Sequence, residues 1–414
     1  MALDFPSSPN SGATYTASGV TWVWDGSKWE PSATASGPFV PLSGATMAGP
    51  LLLFEDPQVA LEAATKEYVD AGDIATAASI TASIPANYPL NSNRIINGDM
   101  RIDQRNASTG GTAINVYTCD RWSYGATVAA KGTWSRASAL IPPNPVGFPY
   151  AWKFLSSSAY ASLASDQFDL YQPIEADMIS DFNFGTANAQ PITLSFWVFV
   201  GIAGIYSGAF QNYTQTRSYP FSYSIPVANT WTKITLTIPG DTSGTWVMSG
   251  NGGAAYLLFD LGSGSNFHGP ANTWANGSYL GVAGSISIVG TNGAQILITG
   301  VKLEIGSVAT PFNYDSLAKR LADCQRYYQI VSAYWSGNAS SGSAYYALGW
   351  FPVTPRAAPT LNGISQIGAP AFPNAIGTLS GGANSNTFVC DSRVCSTTTT
   401  GGIFATVINA SAEL

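Results

Sequence analysis

The stretch ITLSFWVFV puts Ile192, Leu194, Phe196, Val198 and Val200 on one side and Thr193, Ser195, Trp197 and Phe199 on the other. Side chains that alternate with period two mark a half-buried β-strand. WTKITLTIPG repeats the pattern with Ile234, Leu236 and Ile238, and AAYLLFDL, SISIVG and QILITGVKLE read as further strands. The last of these changes phase at Thr299-Gly300, as a β-bulge would. In NRIINGDMRIDQR, Ile96, Met100 and Ile102 alternate with Asn97, Asp99, Arg101 and Asp103, which predicts a strand opening the same domain. Strands of this length separated by Gly- and Asn-rich turns predict an antiparallel jelly-roll sandwich.

Two stretches carry a different period. After Asp56-Pro57, a pair suited to opening a helix, small and apolar residues recur at Leu61, Ala64, Tyr68, Ala71, Ala75, Ala78 and Ala82. That three-four spacing predicts a coiled-coil-like stem helix over 56–84, ended by Pro85 and Pro89. Further on, Asp315 is placed to cap a helix with Leu317, Leu321, Cys324 and Tyr328 on one side. At the start of the chain Trp22 and Trp24 alternate with Val23 before Asp25-Gly26, which predicts a hairpin; in so small a unit the tryptophans are expected to supply the core. SAYYALGWFPV and TFVCDSRV predict strands near the end. The chain is therefore read as mainly β in four parts: a small N-terminal β module over 1–40, a helical stem with spacer over 41–90, the jelly-roll sandwich over 91–314, and a linking helix with a β tip domain over 315–414.

Composition sharpens this picture. A chain of 414 residues exceeds one compact core. Only 10% of its residues are charged, against Gly 42, Pro 25, Tyr 20 and Trp 12, as turn-rich β-structure with aromatic packing requires. The formal net charge of -7 and absence of a Lys/Arg cluster argue against a nucleic-acid partner. MALDFPSSPN has neither the basic start nor the apolar run of a secretory signal, and no stretch is apolar enough to predict membrane insertion. Cys119 and Cys324 read as buried thiols; Cys390 and Cys395 flank four residues and could close a loop, although a reducing compartment favours the thiols.

Little in the sequence points to catalysis. The single histidine, His268 in SNFHGP, would have to serve any Ser-His-Asp triad and reads instead as a turn residue. Neither a GxSxG elbow nor a GxxxxGK loop is present. Asp166, Asp169, Glu175, Asp177 and Asp181 could converge on calcium or supply a glycosidase pair, but strand alternation scatters neighbouring side chains, and solvated surface with a structural Glu175 is the expectation. No catalytic residue, metal or cofactor is therefore expected, and the protein is read as not an enzyme.

Four sets of residues carry a resemblance. PLSGATMAGPL followed by DPQVALEAATKEYVDA resembles the joint that recurs in bacteriophage tail fibre proteins; YTASGVTWVWDGSKWEP, with DFPSSP before it, resembles a module at the ends of such fibres. INGDMRIDQR, YTCDRW, YQPIEAD, TLSFWVFV, ITGVKLEIGSVATPF and CQRYY are similar to the ordered landmarks of the fibre jelly roll, and FPVTPRAAPTL and NASAEL resemble fibre tips. The resemblance implies a homotrimeric structural protein of the virion tail, made in the host cytoplasm. Its N-terminus would bind a tail or baseplate protein, and its distal part would mediate host adsorption by receptor binding, with a bacterial surface polysaccharide as partner. Alternatives are a virion-associated glycan hydrolase or esterase, or a head or tail decoration protein without a receptor. Rings and amides together suit carbohydrate binding, so Trp335, Tyr345, Tyr346 and Trp350, with Asn338, Asn362 and Asn386, are the candidate ligand-binding residues. Trp335, in YWSGNASSGS, is the ring expected to be exposed.

Overall fold

The computed structural model describes residues 5–17, 20–32, 93–139, 147–368, 378–381, 388–396 and 398–414. The predicted stem helix and its spacer lie outside them, as does Asn386. The chain divides into two compact units, residues 1–78 and 79–414.

In the first unit β1 (Thr14–Ala17), β2 (Val20–Trp24) and β3 (Trp29–Pro31) form an antiparallel meander. Asp25 shapes the β2–β3 turn, because its Oδ1 accepts the backbone N–H groups of Ser27 at 2.7 Å and Lys28 at 2.8 Å. Phe5 stacks on Trp29 at 5.4 Å and lies edge-on to Trp22 at 5.4 Å. The tryptophans of the predicted hairpin thus form the only sizeable apolar cluster of this small sheet among the described residues.

The second unit is built on a sandwich. Its strands are β4 (Val116–Cys119), β5 (Trp122–Ala126), β6 (Gly132–Ser138), β7 (Tyr150–Ser156), β8 (Phe168–Glu175), β9 (Ile192–Val200), β10 (Gly204–Asn212), β11 (Arg217–Ile225), β12 (Thr232–Ile238) and β13 (Gly253–Asp260). Three two-residue strands, β14 (His268–Gly269), β15 (Ala275–Asn276) and β16 (Gly281–Val282), precede the long β17 (Gln295–Ile305). One sheet runs β15-β11-β10-β13-β8-β5-β4 and the other β12-β9-β17-β7-β6, the two-layer arrangement of a jelly roll. The face of β9 read from the sequence is buried between them, and Phe196 meets Phe259 edge-on at 5.0 Å and Tyr223 at 5.2 Å. The predicted bulge is present: the β17 register shifts between Thr299 and Lys302, with Gly300 at φ 61°.

Three local expectations fail. NRIINGDMRIDQR is not a strand but a series of turns in which Asn97 and Met100 have φ of 55° and 56°. The Asn97 side chain bonds both the N–H and the C=O of Ile102, and the Trp122 indole donates to the Asn97 carbonyl. This tightly folded end cap buries Ile95, Asn97, Asp99 and Met100 alike. SISIVG is also not a strand: Ile286 N bonds Ile205 O while Val289 N bonds Leu261 O, so no single neighbour offers it a ladder. The linking helix α1 spans Leu317–Gln325, and Ser316 caps it by accepting from Lys319 N, whereas Asp315 pairs with the Lys319 ammonium. Arg320 and Cys324 face inward, while Leu317 is exposed and Tyr328 belongs to the next strand.

After α1 come β18 (Tyr328–Ala339), β19 (Ala344–Trp350), β20 (Thr360–Gly368), β21 (Thr378–Gly381), β22 (Phe388–Val394) and β23 (Thr399–Ser411). They form one antiparallel sheet, β20-β23-β18-β19-β22-β21, curled until its edge strands approach. Val331, Ala333, Ala347, Val389, Phe404 and Ile408 fill the inside, together with the ion pair of Asp391 and Arg393 at 2.8 Å. All four cysteines are buried thiols. Glu413 fastens this tip to the sandwich, since its carboxylate pairs with Arg105 at 3.0 Å and with the buried Arg121. Arg121 in turn lies over the Tyr327 ring, whose hydroxyl donates to Glu175.

Candidate functional site

The outward side of the seven-stranded sheet is where strand alternation leaves polar chemistry in a protected place. Phe168, Leu170 and Ile174 of β8 point into the core, so Asp169 and Tyr171 point outward. On β13 the inward residues are Ala255, Leu257 and Phe259, leaving Tyr256, Leu258 and Asp260 on the outer side. Ladder register aligns these sets: Asp169 lies opposite Asp260, Tyr171 opposite Leu258, and Gln211 of β10 opposite Tyr256. The segment that carries β14 to β16 folds across this face, and its Phe267 and Leu280 pack with Ala209, Leu258, Tyr171 and Tyr256. What remains open is a cleft of about 140 Å³, with Gly125, Gln167 and Asp169 at one end and Gln211, Gln215 and Ser278 at the other.

Both ends hold a buried acceptor without a partner. Asp169 accepts from the Gln167 amide through Oδ1 at 3.0 Å, while its Oδ2 has no hydrogen bond among the described residues. Gly125 is needed beside it, because a Cβ there would collide with Asp169 Oδ1. Gln211 donates to the hydroxyls of Ser218 and Ser278, each at 3.1 Å, and its Oε1 is likewise without a partner. Leaving a buried acceptor unsatisfied is costly unless a ligand or water supplies the donor. Burial, with the neighbouring Asp260 carboxylate adding to it, pushes the Asp169 carboxyl up to about 7, against the pull of the Gln167 bond. Between the two ends Tyr171 lies edge-on to Tyr256 at 5.8 Å, and Tyr213 stacks on Tyr256 at 5.0 Å. All three rings are half-buried.

The residues predicted at the tip fare unequally. Trp335 is not exposed but half-buried, stacked on Phe404 at 5.6 Å and 4.8 Å from the Tyr345 ring. Its polar sequence neighbours point outward while the strand turns the indole inward. Tyr345, half-buried, shares that side. Tyr346 and Trp350, alternating with it on β19, are 56% and 67% exposed. Asn338 and Asn362 are exposed but sit on β18 and β20 rather than in adjoining loops. The outer wall therefore presents Tyr334, Tyr346, Leu348, Trp350, Val394 and Ile403, with no charged side chain at the outward positions of β18 and β19.

The acidic group does not converge. Asp166 accepts from the Tyr160 hydroxyl and Leu163 N, Asp177 from Gly250 N, while Glu175 pairs with Arg326 and Asp181 with Arg94. Asp169 alone of the five faces the cleft. No three His, Cys, Asp or Glu side chains gather in a metal-binding group among the described residues. His268 lies in a serine-lined hollow near Asp260, but its Nε2 meets the Ser263 carbonyl at 3.0 Å, and Ser162 and Ser285 donate to carbonyls of Gly262 and Val282. A wider cavity of about 480 Å³ beneath α1 is lined by charges already paired, among them Glu175 with Arg326 and Lys319 with Asp315.

Sequence reasoning missed Tyr171, Gln211 and Tyr256. The signal was the two-sided apolarity of FDLY and AAYLLFD, which requires a cover on both faces of the sheet; the cover itself comes from residues 264–282.

No protein-family model and no curated protein matches the chain. Among solved structures, it is similar to the enzymatically active domain of tailspike protein 4 of bacteriophage CBA120, at 15% identity and a TM-score of 0.28 over 51% of this chain and 21% of that one. It is also similar to the family 11 carbohydrate-binding module of a Clostridium thermocellum cellulosomal cellulase, at 9% identity and a TM-score of 0.24 over 49% of this chain and 98% of the module. A tandem CBM22 domain from Paenibacillus barcinonensis overlaps 80% of this chain and 98% of its own length, at 6% identity and a TM-score of 0.25. The chain spans about a fifth of the tailspike's length, and no function follows from overlaps of this extent.

Proposed function

We propose that this protein is a glycan-binding fibre of a phage tail, whose jelly roll holds a bacterial surface polysaccharide in the cleft between Asp169 and Gln211. One observation carries the reading: two buried acceptors without partners flank a row of tyrosine rings. Sugars offer hydroxyl donors for the first and C–H faces for the second. Binding rather than hydrolysis is favoured because Asp169 is the one carboxylate lining the cleft among the described residues, Asp260 behind it being held by its own backbone N–H bonds. In this reading the N-terminal module attaches to the tail, and three copies meet through the uncharged outer wall of the tip, a face too apolar for a solitary sheet.

Calorimetric titration of the full chain with envelope polysaccharide from adsorbing strains tests it. Tyr256→Ala should weaken binding roughly tenfold, in line with the ~0.5–1.5 kcal/mol of a ring contact, measured below the lowered melting transition expected on removing a half-buried ring packed on Tyr171 and Tyr213. Binding unaffected by Tyr256→Ala would remove the cleft from the mechanism, and shortening of the polysaccharide on incubation would favour a hydrolase.

A further inference from the structure

The two ends of the cleft ask for the same thing. Gln211 Oε1 accepts only, Asp169 Oδ2 accepts once its carboxyl is ionised, and the Gln211 amide that could have donated is held by Ser218 and Ser278. They stand two strands and four ladder positions apart, roughly 16 Å by sheet geometry, a span no single pyranose ring bridges. The ends differ in charge, however. At the Asp169 end β13 contributes Asp260, a second carboxylate, also buried. Asp260 is held by backbone N–H groups of Gly262 and Ser263 at 3.0 and 2.8 Å and by the Ser207 hydroxyl at 3.3 Å. Among the described residues no arginine, lysine or histidine lines the cleft.

The groups packed around Asp169 leave that charge uncompensated. From β8 comes Tyr171 and from just before it Gln167, from β5 Tyr124 and Gly125, and from β13 Asp260; His268, on the covering segment, acts on Asp260. Above the Asp169 titration a carboxylate ligand brought to Oδ2 would meet a like charge in a desolvated site with no cation among the described residues lining it, where repulsion is several times stronger than in water. A hydroxyl or ammonium brought there would meet a waiting acceptor.

We propose that the Asp169 end of the cleft is a charge-selecting subsite, which takes the donor groups of uncharged or amine-bearing sugars and excludes sugars carrying a carboxylate or phosphate. The proposal rests on the glycan-binding reading and narrows it to a ligand class. It also fixes a pH signature of opposite sign for the two classes. Because Asp169 gains its charge only near pH 7, a neutral sugar that donates to the ionised form binds more tightly as pH rises through that value. An anionic sugar binds less tightly over the same interval, since the repulsion appears there.

The test uses the full chain and two matched pairs: cellotetraose with cellotetrauronate, and galactotetraose with tetragalacturonate. Calorimetry at pH 5.5 and 8.5 should find the neutral member of a binding pair at least tenfold tighter than its uronate at pH 8.5, with the gap closing at pH 5.5. Asp169→Asn, nearly isosteric, should flatten both slopes and narrow the gap. Equal affinity for both members of a pair at pH 8.5, or slopes of the same sign, overturns the subsite and leaves the glycan reading standing. Failure of all four probes to bind at millimolar concentration overturns the subsite, and the glycan reading then stands or falls with the titration of envelope polysaccharide. Should Asp169→Asn not fold, the two slopes of the unaltered chain decide the question alone.

Discussion

The sandwich and the tip each expose one face of a β-sheet, and the two faces have been finished in different ways. Over the seven-stranded sheet, the segment carrying Phe267 and Leu280 covers the apolar positions and leaves only a cleft with buried acceptors and tyrosine edges. On the tip nothing comparable is laid over Tyr334, Leu348 and Trp350 among the described residues; Tyr334 and Leu348 face each other across the β18–β19 ladder, both exposed. Burial without a polar partner calls for a hydrogen-bonding ligand, whereas exposure without charge calls for an apolar one. Among the described residues the same alternation thus yields two surfaces of opposite character, one with a segment returning across the sheet and one without.

The largest way to break this comparison is to separate the two regions. Glu413→Ala leaves Arg121, buried and otherwise bonded to the Pro173 carbonyl and the Tyr327 ring, without its counter-charge. A loss of about 3–5 kcal/mol is expected, read as a fall in the urea midpoint and a tip transition that departs from that of the sandwich. A single unshifted transition would mean that Glu413 contributes little to the joint.

Next in size is Trp335→Ala. The indole packs on Phe404 and Tyr345 inside a small core, so its removal should cost about 2–4 kcal/mol, less than a fully buried tryptophan. Host adsorption should fall only as far as the tip unfolds. Loss of adsorption with unchanged melting would instead restore this ring to a recognition role.

The smallest stability effect belongs to the outer wall. Leu348→Arg sits at an exposed position, so the melting temperature should move by no more than the ~0.5 kcal/mol typical of surface changes. If copies do meet there, sedimentation equilibrium should nevertheless shift toward monomer, because a charge would be desolvated at every contact between copies. If the unaltered chain is itself monomeric at micromolar concentration, the wall does not join copies and the contrast between the two faces has another origin.

What could be read in advance follows from how far each residue's role depends on its neighbours in the chain. Alternation in ITLSFWVFV and WTKITLTIPG identified inward faces, and Thr299-Gly300 announced a bulge, because these depend on backbone geometry within a few residues. The same rule misjudged NRIINGDMRIDQR, where Asn97 and Met100 adopt left-handed φ that a pattern of apolar positions does not register. It misjudged Trp335 as well, since a Gly- and Ser-rich neighbourhood says nothing of which side of a strand faces Phe404, sixty-nine positions along.

The sequence by itself determined a mainly β protein, the sandwich class of its central part, the aromatic core of its N-terminal hairpin, and its low charge. Only the tertiary structure decided that Asp169 is the member of its acidic group that lines a cleft with Gln211 and Tyr256, and that the tip wall is uncovered among the described residues. The physical reason is common to both. Alternation assigns a side chain to one of two faces, but burial, hydrogen-bond satisfaction and charge compensation are set by whatever crosses that face, and here the crossing residues, 264–282 over β8 and β10, are tens of residues distant in the chain.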